Sequence, residues 1–403
     1  MDIGDVLRAR RKALQLTITA VAERTKVSRS YLSMIESGRR HPSAESLLRI
    51  VRSLEMTSDM WLPTVIRDEV NCEHLLRFGS TLFREGDHAG ARLALCRSLV
   101  ISRTRGHALC LSNAQLVLGR LHFTEGRYVS ARRCFERRER WARLGSDGFA
   151  LGVATYNLGL TMMQLGSNVE AVRKLDESIR LFSGHHMRAE LGRAWLAKAN
   201  ALLAMQIYPQ AEESYRRAAN LLRGKPYHTQ AALGVAITAL VVRGPEVAMP
   251  QLQGILRLKT VDPTARAKAR GYIAAALRWS GRFEDALQQL QKALDDREQL
   301  PSGVVAGLLA EVALCNIFMG AFDQVRAALH EYRQVGDDVD SSDIAVMSIL
   351  AEIVGVERPS CPIPTNVRDG HERRLAAALK LLRDQPASRT TEAPRHVASG
   401  NAP

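Results

Sequence analysis

Two groups of side chains in this sequence could do chemistry, and neither is a catalytic set. Between positions 17 and 40, Thr17, Lys26, Ser28, Arg29, Ser30, Tyr31, Ser33, Met34, Arg39 and Arg40 gather cations and hydroxyls in a short stretch. An arginine fork can seat on a guanine edge with two hydrogen bonds, worth ~1–3 kcal/mol of discrimination. Flanking cations and free backbone N–H groups hold phosphates. Between positions 113 and 200 stand Asn113, Arg120, Tyr156, Asn157, Gln164, Arg193 and Asn200. An amide offers both a donor and an acceptor to one peptide unit, and a guanidinium takes a carboxylate. No phosphate-cradling glycine loop, Ser/His/Asp set or metal-ligand cluster has recognisable spacing. The chain therefore reads as a non-enzyme, with no cofactor and no metal. His185-His186 reads as a loop pair between helices, and Asp337, Asp338 and Asp340 as a solvated acidic loop. Cys96, Cys110 and Cys134 read as packing residues on helices.

Composition fits that reading. The 403 residues are 46% hydrophobic and 24% charged, and 56 Lys+Arg against 42 Asp+Glu leave +14. Such an excess favours a polyanionic partner. Six scattered cysteines without a CxxC pair exclude a disulfide scaffold and suit a reducing compartment. The N-terminus lacks the apolar stretch of a secretory signal. The longest apolar run, Ala231 to Val242, is 12 residues, below the ~20 that span a bilayer. A soluble, cytoplasmic protein without membrane association is expected.

The elements that must position the first group lie within residues 1–62, which read as five short helices. Ile3, Leu7 and Leu14 share a helical face, and Val21-Ala22 bury a second helix. Ser28 is a natural N-cap for a third helix from Arg29 to Ser37, with Leu32 and Ile35 inward and Gly38 ending it. Pro42-Ser43 opens a fourth helix carrying Leu47, Leu48, Ile50, Val51 and Leu54; Trp61 and Leu62 close the core.

This order resembles the Xre/Cro/cI helix-turn-helix family over about 60 residues. The resemblance rests on Leu16-Thr17, Val21-Ala22, Val27-Ser28, Leu32-Ser33, Ile35-Glu36-Ser37-Gly38, Pro42-Ser43 and Leu47, in register. It implies that the third helix enters the major groove of duplex DNA, with Arg29 reading bases beside Ser30, Tyr31, Ser33 and Met34. Lys26, Arg39, Arg40 and the N–H groups near Thr17 would hold phosphates. It also implies an ion pair between Arg11 and Glu36. Ile18 stands where the family usually has Gln, and Lys26 where it usually has Gly. The segment carries 11 Lys/Arg against 7 Asp/Glu, a modest +4, so binding as a homodimer is expected.

From residue 70 the chain repeats. A turn of the form Gly-x-aromatic-x-x-Ala starts at 86, 126, 166 and 206, where Gln206 replaces the glycine, an even spacing of 40; looser copies follow at Gly244, Gly281 and Gly320. About 15 helical residues flank each turn, giving some seven helix hairpins and a helix from Ser342 to Gly355. Seven places before the turns stand Gly79, Gly119, Gly159, Ala199, Ala274 and Ala313, small enough for close helix approach. Leu95, Phe135, Leu175, Tyr215 and Leu290 fill the space between helices. This resembles the tetratricopeptide repeat, and the longer period resembles the Rap/Rgg/NprR/PlcR/PrgX group of peptide-sensing regulators. The fold class implied is all-α: a five-helix helix-turn-helix domain over 1–62, a 63–70 linker where Pro63 breaks the helix, and a right-handed solenoid over 71–355. Residues 356–384 read as a Pro-rich linker with a capping helix, and 385–403 as a disordered tail.

In the repeat register, the seven residues of the second group fall on the first helices of the hairpins, facing a concave groove, together with Tyr272, Arg278 and Glu311. Asn157 occupies the place where tetratricopeptide proteins commonly hold a peptide backbone. The resemblance thus implies a DNA-binding regulator that senses a short peptide; the alternatives are a regulator whose array docks a partner protein, and a Rap-like protein that binds a response regulator.

Overall fold

The computed structural model describes residues 2–68, 71–185, 187–258, 261–335, 347, 348, 350 and 351. Among these there are nineteen α-helices and no strand. The first helix, α1 (Ile3–Ala13), starts on a reciprocal cap between Asp2 and Asp5. Three further helices each start on a hydroxyl cap: α2 (Ile18–Thr25) on Thr17, α3 (Arg29–Glu36) on Ser28 and α4 (Ala44–Ser53) on Ser43. Leu7, Val21, Leu32, Ile35, Leu47, Ile50 and Trp61 are buried between them.

Pro63 does not break the next helix. α5 (Ser58–Asp68) runs through it, because the missing N–H orphans only the Asp59 carbonyl, on an exposed residue, while Trp61, Leu62 and Val65 are buried around it. Residues 63–68 are therefore core-forming helix rather than a connector; 69 and 70 lie outside the described residues.

Seven hairpins follow: α6/α7 (Cys72–Arg84, His88–Arg105), α8/α9 (Ala108–Thr124, Tyr128–Leu144), α10/α11 (Gly148–Gln164, Asn168–Gly184), α12/α13 (Arg188–Ala204, Tyr208–Leu221), α14/α15 (His228–Arg243, Pro245–Leu256), α16/α17 (Pro263–Trp279, Phe283–Leu294) and α18/α19 (Ser302–Phe318, Phe322–Gln334). The small residues before the turns have a steric cause. A Cβ on Gly119 would lie 2.4 Å from Phe135, and one on Gly79 2.5 Å from Leu95. Hairpins are tied to their neighbours by ion pairs at regular sequence spacing, including Arg92–Glu125, Arg143–Glu177 (2.5 Å), Arg278–Glu311 (2.9 Å) and Arg297–Glu331 (2.9 Å).

The chain divides into two compact units, Met1–Lys225 and one beginning at Pro226. The cut falls inside the repeats and not after residue 62, because one apolar cluster runs from Leu7 and Trp61 through Phe78, Leu82 and Leu95 to Leu121. Trp61 and Phe78 have ring centroids 5.9 Å apart, and Arg52 of α4 pairs with Glu85 in the first hairpin turn. In the second unit, Met347, Leu350 and Ala351 are buried against α18 and α19. The rest of the helix expected over 342–355, the acidic loop and everything expected over 356–403 lie outside the described residues, as does His186.

Candidate nucleic-acid interface and the first helices of the hairpins

Ser28 Oγ accepts from the Tyr31 N–H at 3.1 Å, and Thr17 Oγ1 from the Ala20 N–H at 3.1 Å. These caps leave the N-terminus of α3 projecting, with Ser28, Arg29, Ser30 and Ser33 exposed and Met34 and Tyr31 half-buried. Lys26, Arg39, Arg40 and Thr17 are exposed around that helix. The Arg40 guanidinium lies over the Tyr31 ring, 5.1 Å from its centroid, which holds its charge beside the helix. Lys26 occupies the left-handed region at φ 53, where a glycine would be unstrained. Ile18, in place of a polar residue, packs against the core.

Behind this face, Arg11 Nε and Nη2 each donate to one Glu36 carboxylate oxygen at 2.7 Å, and Nη1 donates to the Leu16 carbonyl at 2.9 Å. Arg8 donates to the Glu36 carbonyl. Glu36 is 4% exposed and Arg11 11%. The hydrogen bonds from Glu36 hold the guanidinium above its usual range, outweighing the opposing effect of burial.

The second group of residues is placed less openly than a peptide clamp needs. Asn157 is buried and its amide donates to the Val153 carbonyl at 2.7 Å, one turn back. Asn200 accepts from the Tyr215 hydroxyl at 2.6 Å, and Asn113 from Arg138 at 3.0 Å. The expectation that these three amides stand open to a ligand is corrected to that extent: each already bonds within the fold, because a helical amide reaches its own turn or the facing helix before solvent. Arg193 pairs with Glu190 at 2.9 Å. Tyr156 is half-buried and engaged. Arg120 and Gln164 are exposed. Tyr272, Arg278 and Glu311 belong to the second unit, where Arg278 and Glu311 pair with each other. A cavity of about 360 Å³ lies between α6 and α8, lined by Arg77, Ser80, Arg84 and Asn113 among others.

Some residues behave otherwise than expected. Cys96 is exposed rather than packed, since it points outward from α7. His185 sits against Gly148, filling the space a Cβ would need. Among the described residues no group of His, Cys, Asp and Glu is arranged to hold a metal, and no helix is long and apolar enough to cross a membrane. Arg138, which spacing alone did not single out, is 4% exposed and donates to the Ser112 carbonyl at 3.0 Å. Burial lowers its pKa to about 10.

Residues 7–61 match the helix-turn-helix family HTH_3, across α1 to α5. The first domain is a helix-turn-helix domain. This helix-turn-helix domain is 43% identical over 54 residues to the transcriptional regulator ClgR of Mycobacterium tuberculosis, 13% of this chain and 48% of that one. A second HTH-type transcriptional regulator of the same species is 37% identical over 57 residues, 14% of this chain and 41% of that one. The chain thus spans less than half the length of these curated relatives. Among solved structures, the apo form of the quorum sensor NprR from B. thuringiensis aligns with TM-score 0.54 and 13% identity over 84% of this chain and 94% of that one. Apo RapI aligns with TM-score 0.54 and 11% identity over 65% and 95%. A tetratricopeptide repeat protein from Parabacteroides merdae gives 0.54 and 13% over 69% and 98%. At these identities the likeness is one of fold: beyond the helix-turn-helix domain, the repeats are tetratricopeptide-like.

Proposed function

We propose that this chain is a sequence-specific DNA-binding regulator of transcription whose first hairpins take a short peptide. The observation that carries the DNA-binding part is the projecting, hydroxyl-capped N-terminus of α3, with Arg29 exposed at its tip and Lys26, Arg39 and Arg40 around it. Arg29 reads a base edge, and the flanking cations and the Thr17-capped end of α2 hold phosphates. The +4 charge of one domain favours a homodimer on two half-sites, one helical turn of ~10 base pairs or a multiple apart.

The peptide part is supported by the tetratricopeptide-like fold and by the polar cavity between α6 and α8. A continuous apolar cluster joins those hairpins to the helix-turn-helix domain, so a ligand that favours one packing of the hairpins would bias the domain too. A second reading, in which the array docks a partner protein, is favoured by the exposed Leu109 and Leu144 at the ends of α8 and α9.

Selection from random duplexes by the full-length protein tests the DNA-binding part. Arg29→Ala should relax the selected sequence, whereas Arg40→Ala should weaken all sequences alike and flatten the salt dependence. An unchanged selected sequence for Arg29→Ala would remove α3 as the reader.

A further inference from the structure

The ion pairs that tie the hairpins together leave one arginine out. Arg92, Arg143, Arg278 and Arg297 each meet a glutamate 33 or 34 residues further on. The residue 33 on from Arg120 is Val153, and Arg120 has no hydrogen-bond or ion-pair partner among the described residues. Its electrostatic neighbours are Arg193 on α12 and Tyr156 on α10. Behind it, Arg138 of α9 is more than nine-tenths buried, and its Nε meets no acceptor. Arg138 also lies within electrostatic reach of Arg120.

The charges around these helices do not balance. Three guanidinium groups (Arg120, Arg138 and Arg193) face two carboxylates: Glu190, bonded to Arg193 at 2.9 Å, and Asp147 in reach of Arg138. One negative charge is missing. Enclosure and the like charge of Arg193 both disfavour the Arg120 cation, so the folded protein carries this cluster at a cost in stability.

We propose that α8, α10 and α12 form a seat for one carboxylate of a bound ligand, held by Arg120 and Arg193 with Arg138 as fixed positive charge behind them. A planar carboxylate matches the guanidinium fork with two parallel hydrogen bonds. A point anion would not use that geometry. The seat deepens the peptide reading, on which it rests for the source of the carboxylate: the chain terminus or an acidic side chain. A small organic acid presents the same group without a peptide.

Thermal unfolding of the full-length protein, at constant ionic strength, tests the seat. The probes are acetate, an N-acetylated alanine peptide as free acid, the same peptide as an amide, and an amide peptide carrying one aspartate. Probes with a carboxylate should raise the Tm of the wild type, and the plain amide should not. Arg120→Gln should unfold at the same or a higher temperature than wild type without probe, because it removes a like-charge contact, and should lose the carboxylate response. Arg120→Lys, which keeps the charge without the fork, should recover part of it. A carboxylate response equal in wild type and Arg120→Gln, no response to any probe, or a lower Tm of ligand-free Arg120→Gln overturns the proposal. A response to acetate with none to either peptide acid upholds the seat and counts against the peptide reading. Responses to the terminal acid and to the aspartate peptide tell the two peptide sources apart.

Discussion

Glu36 shows how much one side chain carries in the helix-turn-helix domain. Its carboxylate takes both forks of Arg11, and its backbone carbonyl takes Arg8. Glu36→Ala strands the largely buried Arg11 charge, and a loss of ~3 kcal/mol is expected. Denaturant unfolding followed at the domain's own Trp61 reads this; an unchanged midpoint would refute the brace. Lys26 presents the reverse case. Its positive φ strains a residue with a Cβ, so Lys26→Gly should stabilise the domain by ~1 kcal/mol and weaken DNA binding if its charge holds a phosphate. A variant that gains stability and keeps its affinity would take Lys26 out of the interface. At this scale the sequence was legible where chemistry is local. Ser28 and Thr17 could be read as caps because a cap bonds two or three residues along its own chain. Asn157 could not be read, because spacing says which face a side chain is on and not that its amide turns back to Val153.

Helix pairs obey sterics that the spacing of small residues announces. Gly119 and Phe135 are buried against each other, and the second methyl-sized group has nowhere to go. Gly119→Ala should cost ~1–3 kcal/mol by overpacking, and Phe135→Leu in that background should return part of the loss; a double-mutant cycle with no coupling would deny the contact. The turn after α8 carries a pH signature. Burial, ahead of the charge of Arg127, holds His122 below its ordinary value although Glu125 pulls it upward. The unfolded chain takes that proton near pH ~6.5, so the contribution of neutral His122 is complete above that pH and fades as pH falls through the folded value. His122→Gln should therefore flatten the decline of Tm below pH ~6.5, and a parallel decline would assign it to other groups. The helix through Pro63 was misread from the sequence for a physical reason. Proline marks a lost hydrogen bond, but not whether the orphaned carbonyl is exposed to water and the flanking residues are buried.

On the scale of the first compact unit, the core does not respect the boundary that composition suggests. Helix count and repeat period follow from turns and small residues, which are local signals. The joint between the helix-turn-helix domain and the first hairpin is made by Trp61, Leu62, Phe78 and Leu82, and contacts between faces of distant elements leave no period in the sequence. Phe78→Ala should cost ~3–5 kcal/mol. It should also lower hydrogen-exchange protection in α3 along with α6, since both draw on one cluster. Loss confined to α6 would show two independent cores.

That shared cluster bears on any attempt to treat residues 1–62 as a portable part. A graft cut there would carry Trp61 and Leu62, 1% exposed in the parent, with the ring of Phe78 left behind. The transplanted piece would present a sticky apolar patch to solvent and would tend to self-associate or misfold on its new host. A chimaera that keeps α6 and α7 takes the lid of the patch with it, and the smallest transferable reader of DNA in this protein accordingly ends near residue 105.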